Sequence, residues 1–459
     1  MSLPAPLPPP ALPAAADVVV VGAGAAGLTA ALRAAEAGAR VLLLNAHPRP
    51  GLKILMSGGT RCNVTHRQVG ERDFHGGSPH VVARILRAFP VDATLAWLAD
   101  LGVELKLEET GKYFPVTDDA QTVLDALLGA AGRAGVHVAC GARVVRLERA
   151  PAAGGAYRLG VQRVTDSNAF SPAVAGYREG AWPLPKVEPA EWVAARAVIL
   201  ATGGLSFPRT GSDGTGYALA AAVGHTLVPP VPALTPLSGP DPLCAAAQGL
   251  TADAELTLWV GGKRDASVRG SLLVTHFGFS GPAALDLSRH WLRAEGRGER
   301  VVAASFVPGE TREALLAAWL AKTTEAPYST VRRFLARRVP ERLGELLCLE
   351  AGIDPATQVS QVPRGKRAAL IERVCARPLA VTGTLGYEKA ECTAGGVPLA
   401  EVDASTLESR RASGLYLCGE ILDVEGRLGG FNFQWAWSSG TVAGRAAGRA
   451  ALAPDASSS

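Results

Sequence analysis

The sequence has no block of like charges, no closely spaced cysteines and no basic start ahead of its first apolar segment. With 46 Lys and Arg against 42 Asp and Glu, a net charge of +4 argues against nucleic acid or an anionic membrane as the main partner. The seven cysteines (Cys62, Cys140, Cys244, Cys348, Cys375, Cys392, Cys418) are scattered, with no zinc-like spacing. Their odd number points to a reducing compartment, and their separation argues against a disulfide-reductase mechanism, which needs two thiols side by side. Residues 1–16 are almost only Pro, Ala and Leu and lack the basic start of a secretory signal, so they read as a disordered leader. The apolar run from Val18 to Ala35 carries Gly22, Gly24, Gly27 and Arg33, which a spanning helix tolerates poorly. The expectation is a cytoplasmic protein without a membrane segment, and nothing repeats at solenoid periods.

The 459 residues, 48% of them hydrophobic, suffice for two to three domains with ample core. Asp17 to Val21 reads as a buried parallel strand, followed by a glycine turn and a helix through Ala37. Gly38 ends that helix, and Arg40 to Asn45 is a second apolar strand. This order opens a doubly wound α/β domain.

Gly22-x-Gly24-x-x-Gly27 stands where a dinucleotide fingerprint requires it, after a strand and opening a helix. Gly22 permits the tight turn, Gly24 lets a diphosphate approach the backbone, and Gly27 lets helix and strand pack closely. The amides of the first helical turn, at Ala25 and Ala26, would then face the phosphates. The second strand normally ends in an acid that binds the ribose hydroxyls, and here it ends in Asn45, whose amide oxygen still accepts one hydrogen bond.

Farther along, a Gly-rich loop spans Ser57 to Asn63, and helical patterns follow around His80 to Leu101 and Ala120 to Ala134. Short strands are expected near Val136 to Leu147. Pro151 to Glu191 has poor periodicity and reads as a small β-meander with a long surface loop. Ala195 to Gly204 is a strand ending in a glycine turn, and Gly211 to Gly224 a helix with a glycine entry. Prolines between Val228 and Leu237 mark a boundary. The domain reading is a leader (1–16), a first nucleotide-binding part (17–229), an inserted domain (230–389; β-rich 230–308, helical 309–376), a second nucleotide-binding part (390–451) and a disordered tail (452–459).

Features far from the N-terminus point to FAD rather than a free nicotinamide nucleotide. Thr202 and Gly203 end a strand, as where an FAD domain passes its cofactor. Gly414 to Asp423 is another strand, holding Gly419, Glu420 and Asp423. In flavoproteins of this build an acid so placed lies near the ribityl chain. The glycines of Gly429-Gly430-Phe431-Asn432-Phe433-Gln434 permit close backbone approach to a flavin ring, and a helix beginning near Ser438 and Gly440 can aim its amides at it.

Together these segments resemble the YhiN-like bacterial flavoproteins (BaiN/RdsA-type NAD(P)/FAD-dependent oxidoreductases). Four stretches carry the likeness: Gly51 to His66, Pro208 to His225, Thr275 to Leu285, and Thr393 to Gly440. The resemblance implies a Rossmann-type FAD-binding domain, glutathione-reductase/fumarate-reductase-like, interrupted by a β-barrel plus helical insert. It implies that Lys53, Gly58, Gly59, Arg61, Cys62 and Asn63 line non-covalent FAD, with Arg61 or Lys53 facing phosphate. Val144 would contact adenine through its backbone, and Glu420, Asp423, Gly430, Asn432 and Phe433 would hold ribityl and flavin. Asn45 and the long Pro151 to Glu191 stretch depart from the family pattern. The family also implies NAD(P)H-linked reduction of an unsaturated or carbonyl compound; one branch acts on a bile-acid-like enone, a substrate not extended to this chain.

For the chemistry, His276 in the Gly- and Ser-rich THFGFSGP stretch is a proton-transfer candidate. Cys62 beside Arg61 is a candidate thiolate or, more simply, a small residue giving the flavin room. Tyr113 faces either a substrate pocket or the core. No second glycine fingerprint appears, so a nicotinamide nucleotide would dock only transiently. The expected partner is a small organic substrate bound between the FAD domain and the insert. The competing readings are an oxygen-using oxidase of a small amine or alcohol, and a flavin-binding sensor or scaffold without turnover.

Overall fold

The computed structural model describes residues 11–150, 157–166, 170 and 182–453. The chain divides into two compact units, Met1–Pro230 with Cys392–Ser459, and Val231–Glu391.

In the first unit a run of apolar residues forms β1 (Ala15–Val21), the glycine turn leads into α1 (Ala25–Glu36), and β2 (Val41–Asn45) returns beside β1. Both strands read Val and Leu without alternation because both faces of a parallel sheet are covered. Val18, Val19, Val20, Leu43 and Leu44 are fully buried, each worth ~1.5–3 kcal/mol of apolar burial. The sheet order is His137–Cys140, β2, β1, Glu191–Leu200, Tyr157–Arg163, Ala142–Arg149, with Leu415–Leu417 also paired to Glu191–Leu200. The ladders among the first four strands and to Leu415–Leu417 are parallel, and the last two pairings are antiparallel. A three-stranded antiparallel arm is therefore appended to a doubly wound sheet.

The C-terminal helix, Phe431–Leu452, lies against α1 through a stripe of glycines. Cβ atoms on Gly440, Gly444 and Gly448 would come within 2.6, 2.3 and 2.9 Å of the carbonyl oxygens of Ala26, Ala30 and Ala34. Small residues at every fourth position of both helices set this close approach. The last helix of the chain is thereby fixed to the first.

The second unit holds a seven-stranded sheet in the order Arg377–Leu379, Arg300–Ser305, Thr251–Val260, Lys263–Thr275, Gly278–Ser280, Leu237–Ser238, Gly383–Thr384. This is an open path, and no ladder between its end strands closes it into a barrel among the described residues. Helices Arg312–Glu325, Val331–Leu335, Glu341–Glu350 and Arg364–Ala376 follow in sequence.

Several elements differ from expectation for local reasons. The pattern from His80 to Leu101 is two helices, Pro79–Ala88 and Val91–Asp100, because Pro90 breaks it. The Gly414 to Asp423 strand shrinks to Leu415–Leu417 because Gly419, at φ +77°, turns the chain into a 3-10 turn. The last helix begins at Phe431, not near Ser438. Ser438 and Gly440 are thus mid-helix, and their amides are occupied within it rather than aimed at a ligand. The leader read over 1–16 ends too late: Ala15 and Ala16 already belong to β1 and Leu12 N donates to Glu191 Oε2 at 3.1 Å, because the parallel ladder continues past Asp17. Residues 1–10 and about half of the long loop expected between Pro151 and Glu191 lie outside the described residues.

Candidate functional site

At the first glycine turn, Gly22 has φ +107°, and a Cβ there would lie 2.4 Å from Ala201 O. A Cβ on Gly27 would lie 1.8 Å from Gly22 O, so helix, turn and the Glu191–Leu200 strand touch through glycine. Gly24 is different. Its φ of −86° suits any residue, and a Cβ there would have nothing within 4 Å. Gly24 is the N-cap of α1, with no side-chain cap and no acid in the first turn. The first-turn amides, Ala25 and Ala26 among them, therefore have no side-chain cap, where the helix dipole favours an anion.

Asn45 is engaged within the turn. Its Oδ1 accepts from Ala23 N at 3.1 Å, and its Nδ2 donates to His47 O (2.6 Å) and Arg49 O (3.2 Å). The side chain clips the glycine turn to the end of β2, which leaves one oxygen lone pair for a ribose instead of a carboxylate's two free oxygens.

The helix α2 (Leu52–Met56) starts at left-handed Gly51, whose N–H donates to Ala23 O at 3.0 Å. Beyond it Gly58, Gly59, Thr60 and Cys62 all have positive φ. Two of these are not glycine, and such strain collects at functional sites. Gly59 is exposed and a Cβ there would meet nothing, whereas one on Gly58 would press Asn63 N and Phe114. Asn63 spans to the far end of the chain: its Nδ2 donates to Thr65 O (2.9 Å) and its Oδ1 accepts from Gly430 N (3.0 Å).

Both cations expected to face phosphate are paired with carboxylates here. Arg61 pairs with Glu108 (2.7 Å) and Asp118 (3.3 Å) and lies 4.0 Å over the Phe114 ring. Lys53 Nζ donates to Glu420 Oε2 and Ser206 Oγ, both at 2.7 Å. Ser206 Oγ donates in turn to Glu420 Oε1 at 2.7 Å, which also accepts from Thr393 N at 3.0 Å. Four segments meet at this carboxylate, whose Oε1 takes two donors and Oε2 one. Glu420 thus staples the segments together and keeps one acceptor position on Oε2.

Cys62 is no thiolate. It is fully buried, and burial pushes its thiol up to about 12 despite a hydrogen bond with Ser57. Arg61 is turned to its carboxylates and lends no charge. The reading of Cys62 as a small filler fits its surroundings.

The C-terminal glycines close on the same turn. A Cβ on Gly419 would meet that of Ala26 at 2.8 Å, and Gly419 N donates to Ser439 Oγ at 3.0 Å. Gly430, φ +91°, is the N-cap of the last helix, where a Cβ would meet Thr65 O at 2.7 Å. Asn432 binds both polar groups of Gly426 (2.8 and 2.9 Å) and so shapes the loop before the helix. Phe433 stacks on Trp437 at 5.5 Å. Asp423 is held by its backbone, N–H to Val397 O and carbonyl to Gly77 N, each 2.8 Å.

Thr202 and Gly203 follow the Glu191–Leu200 strand; Gly203 has φ +71°, and its Cβ position lies 3.7 Å from Lys53 Nζ. Val144 is buried beside an irregularity in the Ala142–Arg149 ladder. Tyr113 is half-buried in a small sheet with Thr65 and Leu107. His276 belongs to the second unit, exposed in the turn between Lys263–Thr275 and Gly278–Ser280, its ring 5.0 Å from that of Phe277. Ser206 and Thr393 escaped the sequence reading. Thr393 Oγ1 accepts from Leu205 N and Ser206 N at 2.8 and 3.1 Å, and the only advance signal was a short polar residue beside each glycine turn. Among the described residues no His, Cys, Asp and Glu grouping could hold a metal, and no helix is long and apolar enough to cross a membrane.

The chain matches the HI0933-like protein Rossmann domain over residues 16–171 and 178–446. It is 34% identical over 432 residues to the 3-dehydro-bile acid delta(4,6)-reductase of Clostridium scindens, covering 93% of this chain and 98% of that enzyme. It is 31% identical over 423 residues to the ribosomal RNA dihydrouridine synthase of Escherichia coli, covering 92% and 96%. Among solved structures, a 3-ketosteroid delta4-(5alpha)-dehydrogenase from Rhodococcus jostii RHA1 is similar at a TM-score of 0.46 and 17% identity, covering 96% and 97%. The chain belongs to the HI0933-like Rossmann family and is an enzyme of the FAD-dependent oxidoreductase type.

Proposed function

We propose that the first unit binds FAD non-covalently at the Gly22–Gly27 turn, and that the enzyme uses NAD(P)H to reduce a carbon–carbon double bond conjugated to a carbonyl. The observation that carries the binding reading is Gly24. Asp, Ser or Asn is the preferred N-cap of a helix, and neither backbone angle nor packing excludes one at Gly24. A bare glycine there leaves room for an outside anion at uncapped amides. Bound there, FAD supplies hydride transfer.

The chain's own residues do the rest. Gly24, Ala25 and Ala26 present amides to the diphosphate, and Val144 presents its backbone to adenine. Asn63 ties the loop carrying Gly58, Gly59 and Arg61 to Gly430. Lys53 cancels the charge of Glu420, so that no lone carboxylate repels an anionic cofactor. His276, exposed in the second unit, is the proposed proton donor to the substrate.

The substrate class rests on the relatives' names, each of which describes saturation of a double bond: one in a bile acid, the other in uridine of RNA. We favour a small enone. A second reading, uridine within RNA, is favoured by the Escherichia coli relative. Anaerobic titration with NADH and NADPH, followed by addition of a steroidal enone or of unmodified ribosomal RNA, tests both. Bleaching of the flavin band by one nicotinamide and recovery on adding the enone supports the first reading. Recovery on RNA alone supports the second, rapid peroxide formation in air marks an oxidase, and no bleaching marks a sensor. In the same assay His276→Gln is expected to lower turnover ~100-fold or more, the size of a lost general acid, with flavin content unchanged. Unaltered turnover removes His276 from the mechanism.

A further inference from the structure

His225, Glu401 and Ser409 form a buried relay in the first unit that the proposed chemistry does not use. His225 Nδ1 meets Glu401 Oε2 at 2.7 Å, and Nε2 meets Ser409 Oγ at 2.8 Å. The order resembles a nucleophile relay, but Ser409 Oγ already accepts from Arg411 N (3.0 Å) and Ala412 N (2.9 Å), and all three side chains are buried. Both hydroxyl lone pairs are occupied, so the serine has none with which to attack.

The hydrogen inventory closes for one protonation state. Glu401 Oε2 accepts from His225 Nδ1–H and Thr226 N, and Oε1 from Thr226 Oγ1 (2.8 Å) and Arg411 Nη2 (3.1 Å). A bare Nε2 then accepts the Ser409 hydroxyl hydrogen. With His225 protonated, Nε2–H becomes a third donor aimed at Ser409 Oγ, and the serine hydrogen loses its acceptor. The charged groups facing His225 are Glu401 and Arg411. Arg411 already balances Glu401, so a second cation would stand buried without an anion of its own.

The relay also sits on the strands that hold Glu420. Leu407 O accepts from Leu417 N, and Ser409 N donates to Leu415 O (3.1 and 2.7 Å). Val397, just before the turn carrying Glu401, bonds Ile421 O and Asp423 N (2.9 and 2.8 Å). Both sides of the Gly419–Asp423 segment are thus fastened by chain that the relay pins to His225.

We infer that His225, Glu401 and Ser409 are a latch that closes only while His225 is neutral, and that its opening in mild acid loosens the Gly419–Asp423 segment and releases the cofactor. The ligand readout rests on the FAD proposal; the latch itself does not. Burial holds His225 below the ordinary histidine value of 6.5. The open form therefore binds more protons than the closed form below about pH 6.5, and falling pH favours opening by up to tenfold per unit between the two titration points.

The test is hydrogen–deuterium exchange of residues 397–423, corrected for the intrinsic pH dependence, together with flavin release, between about pH 5 and 7.5. Wild type is expected to exchange faster and lose flavin faster in acid, by up to about tenfold over one unit. In His225→Gln, whose amide donates and accepts without titrating, both profiles flatten. An acid step that persists in H225Q, or a wild type with no acid step, overturns the latch. An imidazole NMR titration of wild type covers the case in which H225Q does not fold: a His225 value at or above 6.5 overturns it, and a lower one supports it. A chain that never binds flavin defeats the FAD proposal while the exchange arm still decides the latch.

Discussion

Lys53 and Glu420, 367 positions apart, are joined by a 2.7 Å ion pair that Ser206 completes. One comes from α2, the other from the turn after Leu415–Leu417. Both side chains are about one-fifth exposed, at 23% and 21%. Removing one partner strands a largely buried charge; with partial solvent access the loss is ~1–3 kcal/mol. Lys53→Met is therefore expected to lower the denaturation midpoint and weaken flavin binding. The double variant Lys53→Met with Glu420→Gln should recover part of both. A double-mutant cycle in urea measures the coupling, and additivity of the two changes would refute the staple.

Helix packing gives a second expectation. Gly444→Ala puts a methyl 2.3 Å from Ala30 O, which must push the last helix off α1. The loss should be ~1–3 kcal/mol. Gly132→Ala, in the helix Ala120–Arg133 with nothing within 4 Å, should instead raise stability by ~0.5 kcal/mol. Thermal melts of the two variants check the contrast, and equal effects would contradict the packing described.

Cys62 should be chemically quiet. Its thiol is pushed up to about 12 by burial, so no thiolate forms at neutral pH. Cys62→Ala should keep most of the turnover, and iodoacetamide at pH 8 should leave Cys62 unmodified in native protein by peptide mass mapping. Rapid alkylation with matching loss of activity would restore Cys62 as a nucleophile.

The parts legible in sequence were those set by local pattern. Gly22, Gly24 and Gly27 between two apolar strands specify the first β-turn-α-β unit, and the proline cluster near Val228 marks where the second unit begins, at Val231. The partners of charged side chains were not legible. Arg61 and Lys53 look alike beside a glycine loop, and only the fold brings Glu108, Asp118 and Glu420 to them. The start of the last helix was misplaced because Asn432 and Phe433 read as loop. Gly430 in a left-handed cap, with buried Trp435 and Trp437 beyond it, moves the start forward to Phe431. The His225 relay was invisible because its members are 176 and 184 positions apart.

The most direct measurement compares the visible spectrum and the cofactor-free melting temperature of wild type and Gly24→Asp. Asp at this N-cap suits the helix dipole, and its Cβ would meet no atom within 4 Å, so the cofactor-free fold should be unharmed or gain a few tenths up to ~1 kcal/mol. Its carboxylate would stand where the diphosphate is proposed to lie. The expected result is a yellow wild type whose extracted cofactor is FAD, and a colourless, equally stable variant. A variant that binds FAD as tightly as wild type, or a wild type that stays colourless after incubation with FAD, would contradict the account.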